Sequence, residues 1–468
     1  MNFYFDAATV LDKLDAKQGS IKGVIATLPE KDRKRTTALI IETLKYKAVL
    51  SDAIDAARLL KEEHKITSKN FALVLVHDLL LSGGIQAGDG PVKQAVLRHK
   101  TRLRSEFQRI KIKRGVKSTT ELAQTDDSRA LLIPRYVRVN TARWTTKEAI
   151  KTFISRGFVL SGPFDSDKGF SQDEHIPDLL AFPAQMQFVN DPLYREGKII
   201  LQDKASCFPA YVLAPPISDD SVVIDATAAP GNKTSHLCAL MGNRGKLFAF
   251  ERDRKRFSTL TAMLSKAHCT NVEAINADFL SITPEDRKFD TVTHILLDPS
   301  CSGSGIVNRL DHLLEAGSER SGDIERLNKL AAFQLSMIKH AMKFPSVTRI
   351  VYSTCSVHAV ENEHVVSRAL TSEEAVKGQF QLASPGAVLP LWKRRGLPEE
   401  MDHPALASSL IRCSPGEDAT NGFFVSVFVR GSHEHGGQLH TAGTKRKSTD
   451  YGERIETRKR KKRKKTTS

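Results

Sequence analysis

Residues 221–235, Ser-Val-Val-Ile-Asp-Ala-Thr-Ala-Ala-Pro-Gly-Asn-Lys-Thr-Ser, constrain the fold more than any other stretch of the chain. Val222, Val223 and Ile224 form a short β-branched run ending in Asp225, which reads as a strand buried on both faces of a parallel sheet. Ala226 to Ala229 are small enough for a ligand to approach the backbone, and Pro230-Gly231 ends the strand. Thr234 to Leu240 then begin a helix. A strand, a small-residue turn and a helix N-terminus predict an α/β, Rossmann-like domain with a pocket at the carboxyl end of its strands.

What is missing narrows the ligand. The chain has no G-x-G-x-x-G for a pyrophosphate and no G-x-x-x-x-G-K-[ST] for a triphosphate, which disfavours a dinucleotide or a nucleoside triphosphate. S-adenosylmethionine carries a cationic sulfonium and no phosphate, and carboxylates at strand ends suit it. Lys246 to Phe250 read as a second strand ending in Glu251, placed for ribose hydroxyls. Val272 to Asn276 read as a third, followed by Asp278, placed to accept from an adenine amine. Each acid taken singly has a helix cap as its lesser reading; three at successive strand ends weigh against capping alone.

The 468 residues are too many for one core and imply several domains. No run of about 20 apolar residues and no signal peptide is present, so a soluble, intracellular protein with no membrane partner is expected. Six cysteines without C-x-x-C or ligand spacing fit a reducing compartment and no metal. The net charge of +16 points to a polyanion. Lys445 to Ser468 alone hold twelve Lys and Arg against three acids.

Residues 1–117 carry helical spacing, with Phe71–Leu81 a strongly apolar helix stopped by Gly83-Gly84, and read as a helical domain. The basic stretch from Arg98 through Arg102, Arg104, Arg109, Lys111, Lys113 and Arg114 to Lys117 is either a solvated face or an RNA-backbone contact; the second basic run, in the tail, favours RNA. Residues 118–132 read as a linker, and 133–190 as an α+β subdomain offering Arg135, Tyr136, Arg138 and Asn140 to RNA. The main domain is expected over 191–430, with Gly197 to Ser206 as the strand and helix that lead into it. Residues 431–468 read as a disordered basic tail, a nuclear or nucleolar address or an RNA grip.

Two further strand ends carry the chemistry. Thr293 to Leu297 run into Asp298-Pro-Ser-Cys301-Ser-Gly-Ser-Gly305, whose glycines leave room for a planar ligand, and Thr348 to Tyr352 run into Ser353-Thr354-Cys355. Cys207, Cys238, Cys269 and Cys413 read as inert small hydrophobes. Thiols at polar turns and helix N-termini are activated, so Cys301 and Cys355 are not packing alone. Two thiols beside a methyl donor suit cytosine C5, a nucleophile too weak to attack a sulfonium unaided. A thiolate adding to C6 makes C5 reactive, and Asp298 stands where charge builds at N3 and the exocyclic amine.

On these residues the resemblance is strong. Asp225 to Thr234, Asp298 to Gly305 and Tyr352 to Asn362 resemble the Nop/Sun family of RNA cytosine-C5 methyltransferases over about residues 130–430. The helical front, with Thr43-Leu-Lys-Tyr-Lys47, is similar to the subgroup that acts on large-subunit ribosomal RNA. The resemblance implies Cys355 as nucleophile and Cys301 as release cysteine, an order the residues alone leave open. It further implies that Thr227, Ala228, Ala229, Pro230, Gly231, Asn232 and Lys233 wrap the methionine end of S-adenosylmethionine, that Glu251, Arg256, Asp278 and Asp298 complete its site, and that Lys233 and Asp298 face the base. Arg412 is either a surface charge or, by the resemblance, close to RNA. Thr227 and Asn232 depart from the family's usual Cys and Gly; Asn232 is expected to tolerate a left-handed backbone. Together these give a monomeric nuclear enzyme that methylates ribosomal RNA. The alternative is an RNA-binding ribosome-assembly factor without catalysis, and DNA methylation is disfavoured.

Overall fold

A computed structural model describes residues 2–16, 18, 21–124, 127–307 and 321–431. The basic tail with its Arg458 to Lys465 run lies outside the described residues. Among those described, no helix is long and apolar enough to cross a membrane. Residues Met1–Arg430 form one unit, opened by helices packed around Lys69–Leu81. That central helix is apolar on every side, and its residues Asn70 to Leu79 are buried, as all-round hydrophobicity requires. The Ser68 hydroxyl caps it by accepting the Phe71 N–H.

The basic stretch after it lies on helices Pro91–Arg98 and Lys100–Lys113. Several of its cations are held internally: Arg98 by Glu63 at 2.7 Å, Arg102 by Glu62 at 3.1 Å and Arg114 by Asp52 at 3.0 Å. The solvated-face reading therefore accounts for part of the run. The stretch read as a linker contains two short 3-10 turns, and its Leu122 is buried in the helical core.

A five-stranded sheet follows: β1 (Arg135–Val139), β2 (Val159–Leu160), β3 (Gly169–Gln172), β4 (Leu179–Phe182) and β5 (Ile199–Leu201), in the order β2-β3-β4-β1-β5. The strand expected to lead into the main domain is thus the edge of this smaller sheet. Its neighbour β1 corrects a second expectation. Tyr136, Arg138 and Asn140 are buried, so they offer no face to RNA. Arg138 donates to Gln202 Oε1 at 2.8 Å, Ser235 Oγ at 2.8 Å and the Asn232 carbonyl at 3.2 Å; Asn140 donates to the carbonyls of Gly197 and Ala267. Burying a guanidinium requires such partners. Alternation along β1 distinguishes two faces, and both are covered.

The larger sheet holds β6 (Val222–Asp225), β7 (Lys246–Phe250), β8 (Val272–Ile275), β9 (His294–Leu297), β10 (Arg349–Thr354), β11 (Phe380–Leu382), β12 (Ile411–Cys413) and β13 (Phe423–Arg430). Its order is β11-β13-β10-β9-β6-β7-β8, with β12 also on β13. Strands β10, β9, β6, β7 and β8 are parallel, so Asp225, Glu251, Asp278, Asp298 and Cys355 all emerge at one rim. Strand order reverses between β6 and β9, the point at which open α/β sheets bind ligands.

Candidate active site

A cleft of about 480 Å³ opens at that rim. Thr227, Ala229, Pro230, Glu251, Arg256, Asp278, Asp298, Cys301 and Cys355 line it. Ala228, Gly231, Asn232 and Lys233 do not. Ala228 is buried against Ala249 and Leu260, and the other three open helix Asn232–Leu240, from which Lys233 reaches the cleft residue Asp298. Gly231, with φ of +108°, takes the left-handed conformation, while Asn232 is the first helical residue. The expected backbone demand on Asn232 therefore falls one residue earlier.

The acids at the strand ends do two jobs. Asp225 is buried below the cleft and accepts from the Thr234 hydroxyl at 2.8 Å and the Thr227 N–H at 3.3 Å, fixing the turn. Burial pushes its carboxyl up to about 6 against the pull of those donors and of Lys233, with Asp298 adding to the rise. Glu251 accepts the Asp253 N–H at 2.9 Å in the turn ahead of helix Arg254–Ala267, which Asp253 caps, whereas Asp278 accepts the Leu280 N–H at 3.0 Å and caps its own turn; both acids face the cleft. Arg256 joins Glu251 at 3.3 Å and donates to the Ala229 carbonyl at 2.7 Å, tying the second strand end to the small-residue turn.

Both sulfurs meet at one edge of the cleft, with Cys301 Sγ 3.1 Å from Cys355 Sγ. The hydrogen bond to Cys355 and then burial hold the Cys301 thiol well above its ordinary range, which keeps its proton on. Beside them Asp298 Oδ2 accepts from Lys233 Nζ at 2.6 Å. Burial lowers the Lys233 pKa, but Asp298, Cys355 and Asp225 outweigh it and the ammonium is held above its usual range. The two cysteine loops are locked together. Gln334, fully buried on helix Ser321–Ala341, donates to the Ser300 carbonyl and to Glu361 Oε1, both at 3.0 Å, and Glu361 Oε1 also accepts the Ser302 N–H. Gly305 of the first loop does not leave space for a ligand. A Cβ on Gly305 would stand 2.3 Å from the Gly422 carbonyl oxygen, so Gly305 permits two backbones to touch.

Residues 210–429 match the family described as 16S rRNA methyltransferase RsmB/F. Residues 34–123 and 133–202 match the N-terminal and ferredoxin-like domains of NOL1/NOP2/Sun domain family member 5. Over 427 residues the chain is 44% identical to the 25S rRNA (cytosine-C(5))-methyltransferase rcm1 of Schizosaccharomyces pombe, an alignment covering 91% of each. It is 42% identical over 440 residues to the 28S rRNA (cytosine-C(5))-methyltransferase of Mus musculus, covering 92% of this chain and 91% of that one. The chain belongs to the Nop/Sun-domain family of RNA cytosine-C5 methyltransferases.

The fold agrees: the crystal structure of PH0851 superposes with a TM-score of 0.60 at 20% identity, covering 91% of this chain and 97% of that one. In this Nop/Sun enzyme Thr227, where the resemblance led to the expectation of Cys, accepts the Asp298 N–H through Oγ1 at 3.0 Å. Arg412 is neither a free surface charge nor open to RNA; it forks onto Glu363 at 2.7 and 2.6 Å and donates to the Val357 carbonyl, bracing the loop after Cys355. Cys207 and Cys413 are buried, and burial pushes Cys207 up to about 12. Cys238 is buried in the core and Cys269 is partly buried against it, where a hydrogen bond from Cys238 lowers the Cys269 pKa.

Sequence reasoning missed Phe250, Arg252, Ile306, Phe333 and Met337 in the lining. Phe333 and Met337 lie one turn apart on the helix that carries Gln334, an i, i+4 pair visible as spacing but not as a site. It missed Ser206 and Ser353 too, which contact Lys233 and Asp298.

Proposed function

We propose that the chain methylates C5 of a cytosine in large-subunit ribosomal RNA, using S-adenosylmethionine and a transient bond between Cys355 and C6 of the base. The observation that carries this reading is the 3.1 Å approach of two thiols at the edge of a cleft whose other wall holds Glu251 and Asp278. The donor set fits the cofactor: two carboxylates at adjacent strand ends for hydroxyl and amine donors, no phosphate cradle, and a volume in the range of small-molecule sites. Glu251, Asp278, Thr227, Ala229 and Pro230 would hold it. When bound, it supplies an electrophilic methyl group.

The rest belongs to the chain. The Cys355 thiolate forms a bond to C6, and the C5–C6 π pair shifts so that C5 becomes nucleophilic. Asp298 and the Lys233 ammonium stand at the polar edge of the base, where N3 and the exocyclic amine gain charge. After methyl transfer C5 loses its proton, the C5–C6 double bond reforms and the sulfur leaves C6. Water in the cleft takes the C5 proton as the C5–C6 bond reforms, and Cys301, protonated and touching the Cys355 sulfur, hands its proton to the departing thiolate and is reprotonated from that water. The reaction needs an extrahelical base, because C6 is out of reach in a stacked duplex.

The names of the relatives and the net charge of +16 support a ribosomal RNA substrate and a nuclear, nucleolar site of action. Bisulfite sequencing of RNA from cells lacking the protein tests this. Expected is the loss of methylation at a large-subunit cytosine, restored by the intact chain and not by Cys355→Ser; restoration by Cys355→Ser overturns the mechanism.

A further inference from the structure

We infer that Ser353 is a positioning residue that fixes the Asp298 carboxylate for the base; this rests on the role given to Asp298 above. In the parallel register of β9 and β10, Tyr352 stands opposite Leu297, so the next residues, Ser353 and Asp298, fall side by side. The Ser353 hydroxyl lies 2.7 Å from Asp298 Oδ1 and 3.5 Å from the Leu297 carbonyl. With one proton to give, it gives it to the carboxylate. Ser353 is fully buried, so water does not compete for that bond.

The other carboxylate oxygen is held from a different element. Lys233 Nζ, on the helix after the small-residue turn, donates to Oδ2 at 2.6 Å and to Ser206 Oγ at 3.2 Å. An ammonium on a four-carbon stem is a mobile point charge, and by itself it lets the carboxylate swing with it. Two donors on two oxygens, one of them rooted in a strand, leave a single orientation: rotating the carboxylate breaks a bond on either side. Cys355 follows directly on β10, two residues after Ser353, so Ser353 and the nucleophile are set by the same stretch of backbone. One strand therefore registers the sulfur and the carboxylate against each other. A buried serine retained only for packing would have no such effect on turnover.

The test compares Ser353→Ala, Ser353→Cys and Ser353→Thr in the full chain, with methyl transfer normalised to active sites titrated as covalent adduct on 5-fluorocytidine RNA. Thr keeps the donor; Cys keeps the size and weakens it. Expected is a kcat per titrated site about 10- to 100-fold lower for Ala, intermediate for Cys and largely rescued for Thr. The KM for S-adenosylmethionine should move less than about 3-fold, since the change falls on the reacting end. An Ala variant that melts earlier and titrates fewer sites but keeps kcat per site overturns the inference, as does equal loss in Ala and Thr. Methyl transfer that survives in Cys355→Ser would instead overturn the thiol mechanism, which keeps the two failures apart.

Discussion

The hydroxyl of Thr227 accepts the backbone N–H of Asp298 at 3.0 Å, joining the small-residue turn after β6 to the acid at the end of β9. Thr227 is thus a structural tie between the small-residue turn and the Asp298 carboxylate at the cleft. Thr227→Val removes the acceptor and leaves a partly buried amide without a partner, a loss of about 1–3 kcal/mol. Thermal melting should fall and affinity for S-adenosylmethionine weaken, with Thr227→Ser close to the parent protein. Calorimetric titration of both variants checks this.

The thiol pair makes a prediction that does not depend on overall rate. If Cys301 returns the proton that lets the sulfur leave, Cys301→Ser forms the bond to C6 and releases it slowly. Incubation with RNA and S-adenosylmethionine should then accumulate a protein–RNA species stable to denaturing electrophoresis, and Cys355→Ser should give none. An equal yield of adduct from the two variants would reverse their roles.

Arg138 is a stability residue, contrary to its appearance in the sequence. It lies fully buried between β1 and helix Asn232–Leu240, and Arg138→Met keeps much of the stem while stranding Gln202 Oε1 and Ser235 Oγ. A destabilisation of about 2–4 kcal/mol is expected from breaking a buried charged network. RNA affinity per folded molecule should stay within about 2-fold of the parent, because no phosphate contact is lost. Melting curves and filter binding separate the two effects.

The sheet was legible because each parallel strand is a short apolar run stopped by an acid or a polar turn, and that pattern has few alternatives. The same pattern put Cys301 and Cys355 on one rim. What the residues could not reveal is what a polar side chain meets across the fold. Arg138 and Asn140 have the composition of a nucleic-acid face, and only the packing of β1 against helix Asn232–Leu240 turns them inward. Ser353 reads only as the polar residue just past a strand until the register of β9 and β10 sets it beside Asp298. Gly305 reads as space for a ligand, whereas its partner Gly422 is more than a hundred residues away in the chain.

Asp225 gives the protein a pH dependence of unusual sign for an acid. Its carboxyl is raised by burial from the ordinary 3.8 to about 6, so the folded chain binds this proton more tightly than the unfolded chain does. The stability it contributes is fully present below pH 3.8 and is lost as pH rises through about 6, a change of roughly 3 kcal/mol across the window. Most acids in ion pairs act the other way, so this group flattens the acid limb of the stability curve. Asp225→Asn keeps an acceptor for Thr234 or Thr227 and removes the titration. Relative to the parent protein, the variant should lose less stability, or gain more, between pH 4 and pH 6. Urea unfolding at half-unit pH steps measures the difference in slope, and identical slopes would place the proton elsewhere.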